Sequence, residues 1–347
     1  MQNQCTPHGD DMATPSLQEW KQLYDAAREF QKLECWNWMW DSDVFGVQNP
    51  ETDEIGYCCV MGMLGQHFAL GAYLGSEGLE GYLRIQSGER LPHPDFLFTQ
   101  KLLMASFEDR EILHKQDLRI IKDLGLTCRG RNSWPLFRSY LPGYVPWFLT
   151  SDEAVYLTLA LNQAIDVCLR FKDDPELLNG TAENQYLVRV LEKEEKKWVD
   201  TWAIPRPVEK QSVTVRVDEN RLRKIKKIPV RRHTVWEIDY FYSPEAVRDK
   251  KERPWYPCII LWVDRYTRVI PHIYLARPTE FASEFVEQFL NVFERFEILP
   301  QEIVVEKKEI FRLLKPIASQ LGTTVKKVRK LSVMEEVKAD LSTFHGM

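Results

Sequence analysis

The alternation of apolar and polar positions is sharpest in the second half of the chain. HTVWEIDYFY (233–242) alternates and is rich in β-branched and aromatic residues, which predicts a strand. WYPCIILWVD and RVIPHIYLA predict two more, joined by a tight turn at Asp264-Arg265-Tyr266. Phe281, Phe285, Phe289 and Phe293 recur every four residues in PTEFASEFVEQFLNVFERF, so one face of a helix is apolar there. EIVVE reads as a short buried strand and IFRLLKPIASQLG as a helix ended by Gly322. TTVKKV is then a strand, and SVMEEVKADLSTF a last helix capped by Ser332. The predicted order is β-β-β-α-β-α-β-α.

The first half carries a similar pattern. Thr14-Pro15-Ser16 opens a helix to about Cys35, with Leu17, Trp20, Leu23, Tyr24, Ala27 and Phe30 at helical spacing. CWNWMWDSDVFGV turns strand-like and NPETDEIG is a turn. YCCVMGML and HFALGAYL are strands about Gly65-Gln66, SEGLEGYLRI is a helix and KLLMASF a buried strand. EDREILHKQDLRIIKDLG predicts one amphipathic helix stopped at Gly125. GRNSWPLFRSYLPGYVPWFL, with its prolines, reads as a loop. Thr150-Ser151-Asp152 caps EAVYLTLALNQAIDVCLRF, a helix apolar nearly all round and therefore buried. LVRV and KWVDTWAI form a strand pair about EKEEK, and Asp218 caps a short helix that runs into RLRKIKKIPVRR. The expected organisation is a disordered tail at 1–14, an α/β domain at 15–172, a connecting segment at 173–232 and a second α/β domain at 233–347.

Composition narrows the classes. A chain of 347 residues, 44% hydrophobic and 28% charged, holds about two globular domains with real cores. The net charge of −5 excludes a global basic field, so the seven basic residues in twelve at 221–232 are a local feature. Arg221, Arg223, Lys224, Lys226 and Lys227 are the candidate nucleic-acid contacts, against the alternative of a solvated linker. That run has no interleaved aromatics for stacking on single strands. No apolar run approaches the ~20 residues of a membrane span, and MQNQCTPHGD does not read as a signal peptide. Seven cysteines without a CxxC pair predict reduced thiols in a cytosolic protein, and scattered histidines argue against structural zinc.

The halves also match each other. WDSDVF at 40–45 aligns with WEIDYF at 236–241, Tyr57 and Cys59 with Tyr256 and Cys258, and Tyr73-Leu74 with Tyr274-Leu275. FEDREIL at 107–113 aligns with VEKKEIF at 305–311, pairing Glu108 with Glu306 and Glu111 with Glu309. With the shared element order, this predicts an internal duplication; the alternative is two unrelated α/β units whose Trp40 and Trp236 are ordinary core residues.

The predicted order resembles the ribonuclease H-like fold, and WEIDYFY followed by IILWVDRYTRVI resembles the opening of integrase and transposase catalytic cores. The expected fold class is therefore α/β with mixed sheets, in two ribonuclease H-like units. The resemblance implies a metal-binding acid at Asp239, a second at Glu306, where a D-N-G-x-E-F motif has become Glu306-Lys307-Lys308-Glu309-Ile310-Phe311, and a third at Glu335 or Glu336. It implies magnesium or manganese for a nuclease, and no cofactor otherwise. The equivalent acids of the first half are Asp43, Glu108 and Asp152 or Glu153. PGYVPWFLTSDEA and GYCCVMGMLGQHFALGAYLG are, in addition, similar to bacterial proteins made of two domains of unknown function.

Two readings follow. Glutamate in place of aspartate adds a methylene to a tight metal site, and Lys307 and Lys308 bring competing ammonium groups. Both changes favour a non-catalytic binding or scaffold module whose partner is a protein or a nucleic acid. The alternative is a divalent-metal-dependent nuclease, in which the carboxylates converge on two ions. Glu108 and Glu306 also stand at predicted helix starts, where the helix dipole alone favours a carboxylate. A Cys59 or Cys258 nucleophile has no supporting spacing.

Overall fold

A computed structural model describes residues 13–88, 95–208, 218–249, 252–278 and 281–344. The predicted tail, apart from Ala13 and Thr14, lies outside the described residues. The chain forms two compact units: residues 1–209 with 249–253, and residues 210–248 with 254–347. Each unit is a mixed α/β sheet structure.

In the first unit, α1 (Leu17–Leu33) begins at Ser16, whose hydroxyl accepts from the Glu19 N–H while the Glu19 carboxylate accepts from the Ser16 N–H. There follow β1 (Phe45–Gln48), β2 (Ile55–Met61), β3 (Phe68–Leu74), α2 (Gly75–Gln86), β4 (Leu102–Glu108), α3 (Lys115–Asp123), β5 (Trp134–Tyr140), α4 (Ser151–Asp173), β6 (Tyr186–Glu192) and β7 (Lys197–Ala203). The sheet order is β5-β4-β3-β2-β1-β6-β7, with β1 and β6 parallel and every other pair antiparallel. Alternate residues of β2 point to opposite faces, so Cys58 and Val60 join the core under α1 and α4, whereas Tyr57 and Cys59 lie with α2. The length and composition of α4 would suit a membrane span, but half of that window is buried, and Leu157, Leu161 and Val167 pack into the core.

Several expectations are corrected in this unit. The proline-bearing stretch taken for a loop contains β5, an edge strand, where Pro135 is tolerated at the second position. The helix predicted from Glu108 begins only at Lys115. A single turn at Arg110–Ile112 precedes it, and His114 caps it, Nδ1 accepting from the Gln116 N–H at 3.2 Å. Trp40 is 52% exposed and not core. The strand pair assigned to a connecting segment is the β6–β7 edge of the first sheet, and the basic run belongs to the second unit. The aligned repeat also breaks down at its fourth strand: β4 pairs with β3 and β5, whereas its supposed counterpart at 299–305 pairs in parallel with the first strand of its own sheet.

The second unit comprises α5 (Glu219–Ile225), β8 (Val230–Tyr242), β9 (Cys258–Asp264), β10 (His272–Ala276), α6 (Phe281–Phe296), β11 (Leu299–Val305), α7 (Lys308–Leu321), β12 (Thr324–Lys327) and α8 (Ser332–Phe344). The sheet order is β10-β9-β8-β11-β12; β8, β9 and β10 form an antiparallel meander, and β11 and β12 run parallel to β8. From β8 onward the elements follow the predicted β-β-β-α-β-α-β-α order. The phenylalanine stripe of α6 is the core of this unit, with Phe293 stacked on the buried Trp236 at 5.8 Å between ring centroids. The opposite face of the sheet is covered by α8 through Val333 and Met334, with Leu331 just before the helix.

Candidate functional site

The strand alternation of β8 sends Trp236 and Ile238 into the α6–α7 core, and Val235, Glu237, Asp239 and Phe241 to the α8 face. Two carboxylates therefore lie beneath a helix, Glu237 1% exposed and Asp239 3% exposed. A buried charge persists only with partners. Glu237 Oε2 accepts from the Met334 N–H at 2.8 Å, in the first turn of α8, and Oε1 lies 3.6 Å from Arg265 Nε. The free amides and dipole of the helix start favour that negative charge.

Asp239 is held differently. Its Oδ2 is 2.6 Å from Lys338 Nζ on α8, and its Oδ1 is 3.2 Å from Lys307 Nζ at the start of α7. The Lys307 ammonium also donates to the Tyr240 carbonyl and sits 3.7 Å from the centroid of the Tyr240 ring. Lys338 has a second acid at 3.4 Å, Glu335. Burial opposes the charge on Lys338, but Asp239 and then Glu335 outweigh it, so the ammonium is held above the usual lysine range.

The candidate acids divide accordingly. Glu306 lies two residues beyond the last parallel pair, Val304–Glu237, so the end of β11 does reach Asp239. The Glu306 side chain is exposed, however, and Lys307 turns inward in its place. Lys308 is exposed in the first turn of α7, so the second competing ammonium is that of Lys338. Glu335 binds Lys338, whereas Glu336 pairs with Arg268 at 2.9 Å.

In the first unit Asp43 accepts from the Trp40 N–H at 2.7 Å, and Glu108 lies 3.6 Å from His67 Nδ1. Glu153 caps α4, accepting from the Thr150 N–H and from the Ser139 hydroxyl, and Asp152 is exposed beside it. Two strands separate β1 from β4, a spacing of about 14 Å, so Asp43 and Glu108 do not converge on one ion pair. Among the described residues no three His, Cys, Asp or Glu side chains are grouped to hold a metal.

Magnesium or manganese does not fit the Asp239 site. A divalent ion 4 Å from one ammonium would be repelled by about 8 kcal/mol at an effective dielectric of 20, twice the value for unit charges. Here two ammonium groups stand against the carboxylate it would need.

The basic run is also partly committed. Arg221 binds Glu287, Asn291 and Glu294 of α6, while Arg223 pairs with Glu219 within α5. Lys224, Lys226 and Lys227 are exposed. The described cysteines are free, and burial pushes the Cys58 thiol up to about 12 and Cys59 higher still, away from nucleophilic use.

Sequence reasoning missed Glu237 and Lys338. Glu237 stands two residues before Asp239, hence on the same strand face, and Lys338 follows the buried Met334 by four, hence on the same helix face. Replacing Glu237 by glutamine keeps an acceptor for the Met334 amide but drops the charge, at an expected cost of about 1 kcal/mol. Alanine removes both and costs about 2–3 kcal/mol. Urea unfolding of the two variants checks the order; equal stability of all three proteins would show that Glu237 does not anchor α8.

Residues 20–189 match the model of one domain of unknown function, DUF7309, and residues 221–342 match that of a second, DUF6930. No curated protein matches the chain. Among solved structures, similarity extends to the HTLV-2 integrase catalytic core domain in complex with magnesium, in its trimeric and dimeric forms. Each is 15% identical with a TM-score of 0.24, covering 30% of this chain. The match spans 64% of that domain's own length.

Proposed function

We propose that the chain is a cytosolic, non-catalytic binding or scaffold protein in which a ribonuclease H-like unit has exchanged metal chemistry for a structural charge cluster. One observation carries this reading: Asp239, the acid that a nuclease would offer to a metal, is paired with both Lys338 and Lys307. Lys338 hydrogen-bonds one carboxylate oxygen, and the other, which makes no hydrogen bond, faces the Lys307 ammonium at 3.2 Å, so a cation brought to Asp239 would be repelled from both sides. The nuclease alternative would require both lysines to leave. Free thiols, most of them buried, fit a reducing compartment. Calorimetric titration with manganese chloride is expected to give no saturable heat with either the native chain or Asp239→Asn. A saturable site in the native chain that disappears in the variant would overturn the proposal.

A further inference from the structure

The second unit carries a groove far more apolar than the charge cluster, about 530 Å³ in volume and within the size range of ligand pockets. The buried Trp236 lines it together with Val269, Ile270, Tyr266 and Phe296. The last four are exposed, Tyr266 by 68% and Val269 by 59%. Large apolar side chains gathered at one place on a surface mark a site of contact.

The chain builds this groove with two irregular features. Between the pairs Arg231–Pro300 and Val235–Glu302, three residues of β8 stand opposite one of β11, a bulge that re-aims the strand. His233 takes a positive φ of 59° within it and donates its N–H to the Gln301 side chain at 3.0 Å. Across the groove, Asp264 Oδ1 accepts from the Tyr266 N–H, the Thr267 N–H and the Thr267 hydroxyl. That fixes the β9–β10 turn and presents Tyr266 and Val269.

Charge selects the occupant. The Asp264 carboxylate is taken up by its own turn. Arg231, exposed at the mouth, has no acidic partner among the described residues. Among the described residues that line the groove, Arg231 carries the one guanidinium, with His233 beside it, and a guanidinium next to aliphatic and aromatic walls suits a carboxylate next to apolar side chains. A nucleic-acid strand carries a phosphate at every nucleotide and would call for more cations than the described lining offers.

The geometry points to a docking site for an apolar segment of a partner protein, carrying one aspartate or glutamate that pairs with Arg231. This deepens the binding-module reading and rests on it, while standing apart from Asp239, so the manganese titration can fail or succeed independently.

The test pans a phage-displayed random heptapeptide library on the full chain, then measures an enriched peptide by fluorescence anisotropy. Enriched sequences are expected to combine apolar residues with one acid. Affinity should fall about tenfold on Arg231→Gln, and equally when the peptide's acid becomes its amide, as for loss of one charge-assisted contact. Tyr266→Ser should weaken binding as well; both side chains are exposed, and unchanged thermal melting confirms that the variants fold. A labelled oligothymidylate serves as the competing probe. Failure to enrich peptides, enrichment indifferent to these variants, or oligothymidylate binding that Arg231→Gln abolishes would each overturn the proposal.

Discussion

Lys338→Met is expected to lower the unfolding free energy of the second unit by about 2–3 kcal/mol. Removing one partner of a buried ion pair costs about 3–5 kcal/mol, because the remaining charge is stranded out of water. The lower figure applies here because Lys307 stays beside Asp239 and the Lys338 side chain is 21% exposed. The methionine retains the aliphatic stem, so the loss reports charge and not packing. The pH dependence separates this from a general weakening. Lys338 has a folded value raised above its unfolded one of about 10.4, so its contribution is fully present below that pH and is lost as pH rises through the folded value. Native and variant stabilities should therefore differ at pH 7 and converge in the alkaline range. Urea unfolding at neutral and alkaline pH measures this; a gap that persists unchanged at high pH would mean that the ammonium is not what Asp239 needs.

How far this site was legible in the sequence depends on what kind of signal each residue gives. Asp239 stands out because strand alternation is read directly from WEIDYFY, and that strand forms where predicted. Lys307 stands out because it replaces a small polar residue in a recognisable motif position. Lys338 gives no such signal: one lysine on an amphipathic helix is ordinary, and its importance arises only when parallel crossovers bring α8 over β8. The same distinction explains the repeat. Trp, Asp and Phe recur in register in the sequence, but Trp40 and Asp43 precede β1 whereas Trp236 and Asp239 lie within β8; hydrogen-bond partners are set by the whole sheet, and β4 extends a meander where β11 crosses over. In the sequence Arg221 is one cation of a run; tertiary contact with three α6 side chains makes it a staple between helices. The strand β5 was obscured by Pro135 and the prolines that follow it, since composition cannot distinguish an edge strand from a loop.

The pairing of Asp239 with two ammonium groups also predicts what would create a metal site. In Lys307→Asn with Lys338→Glu, both competing cations disappear and a carboxylate replaces one of them. Asp239 then shares the α8 face with Glu237, Glu335 and the new glutamate, and no ammonium offsets them. Without metal, that double variant should be less stable than Lys338→Met, by about 4 kcal/mol relative to the native chain, since unlike the methionine it adds a like charge to a stranded one. Oxygen ligands converging from β8 and α8 suit manganese, and binding to the folded state alone recovers about 2.7 kcal/mol at a hundredfold excess over the dissociation constant. The melting temperature of the double variant should therefore climb with manganese concentration, while that of the native chain stays flat. Binding the metal requires the acids to be close as well as free of lysine. Flat melting in both proteins would show that α8 holds its side chain too far from Asp239 for a shared ion, and would confine the lysines to a purely structural role.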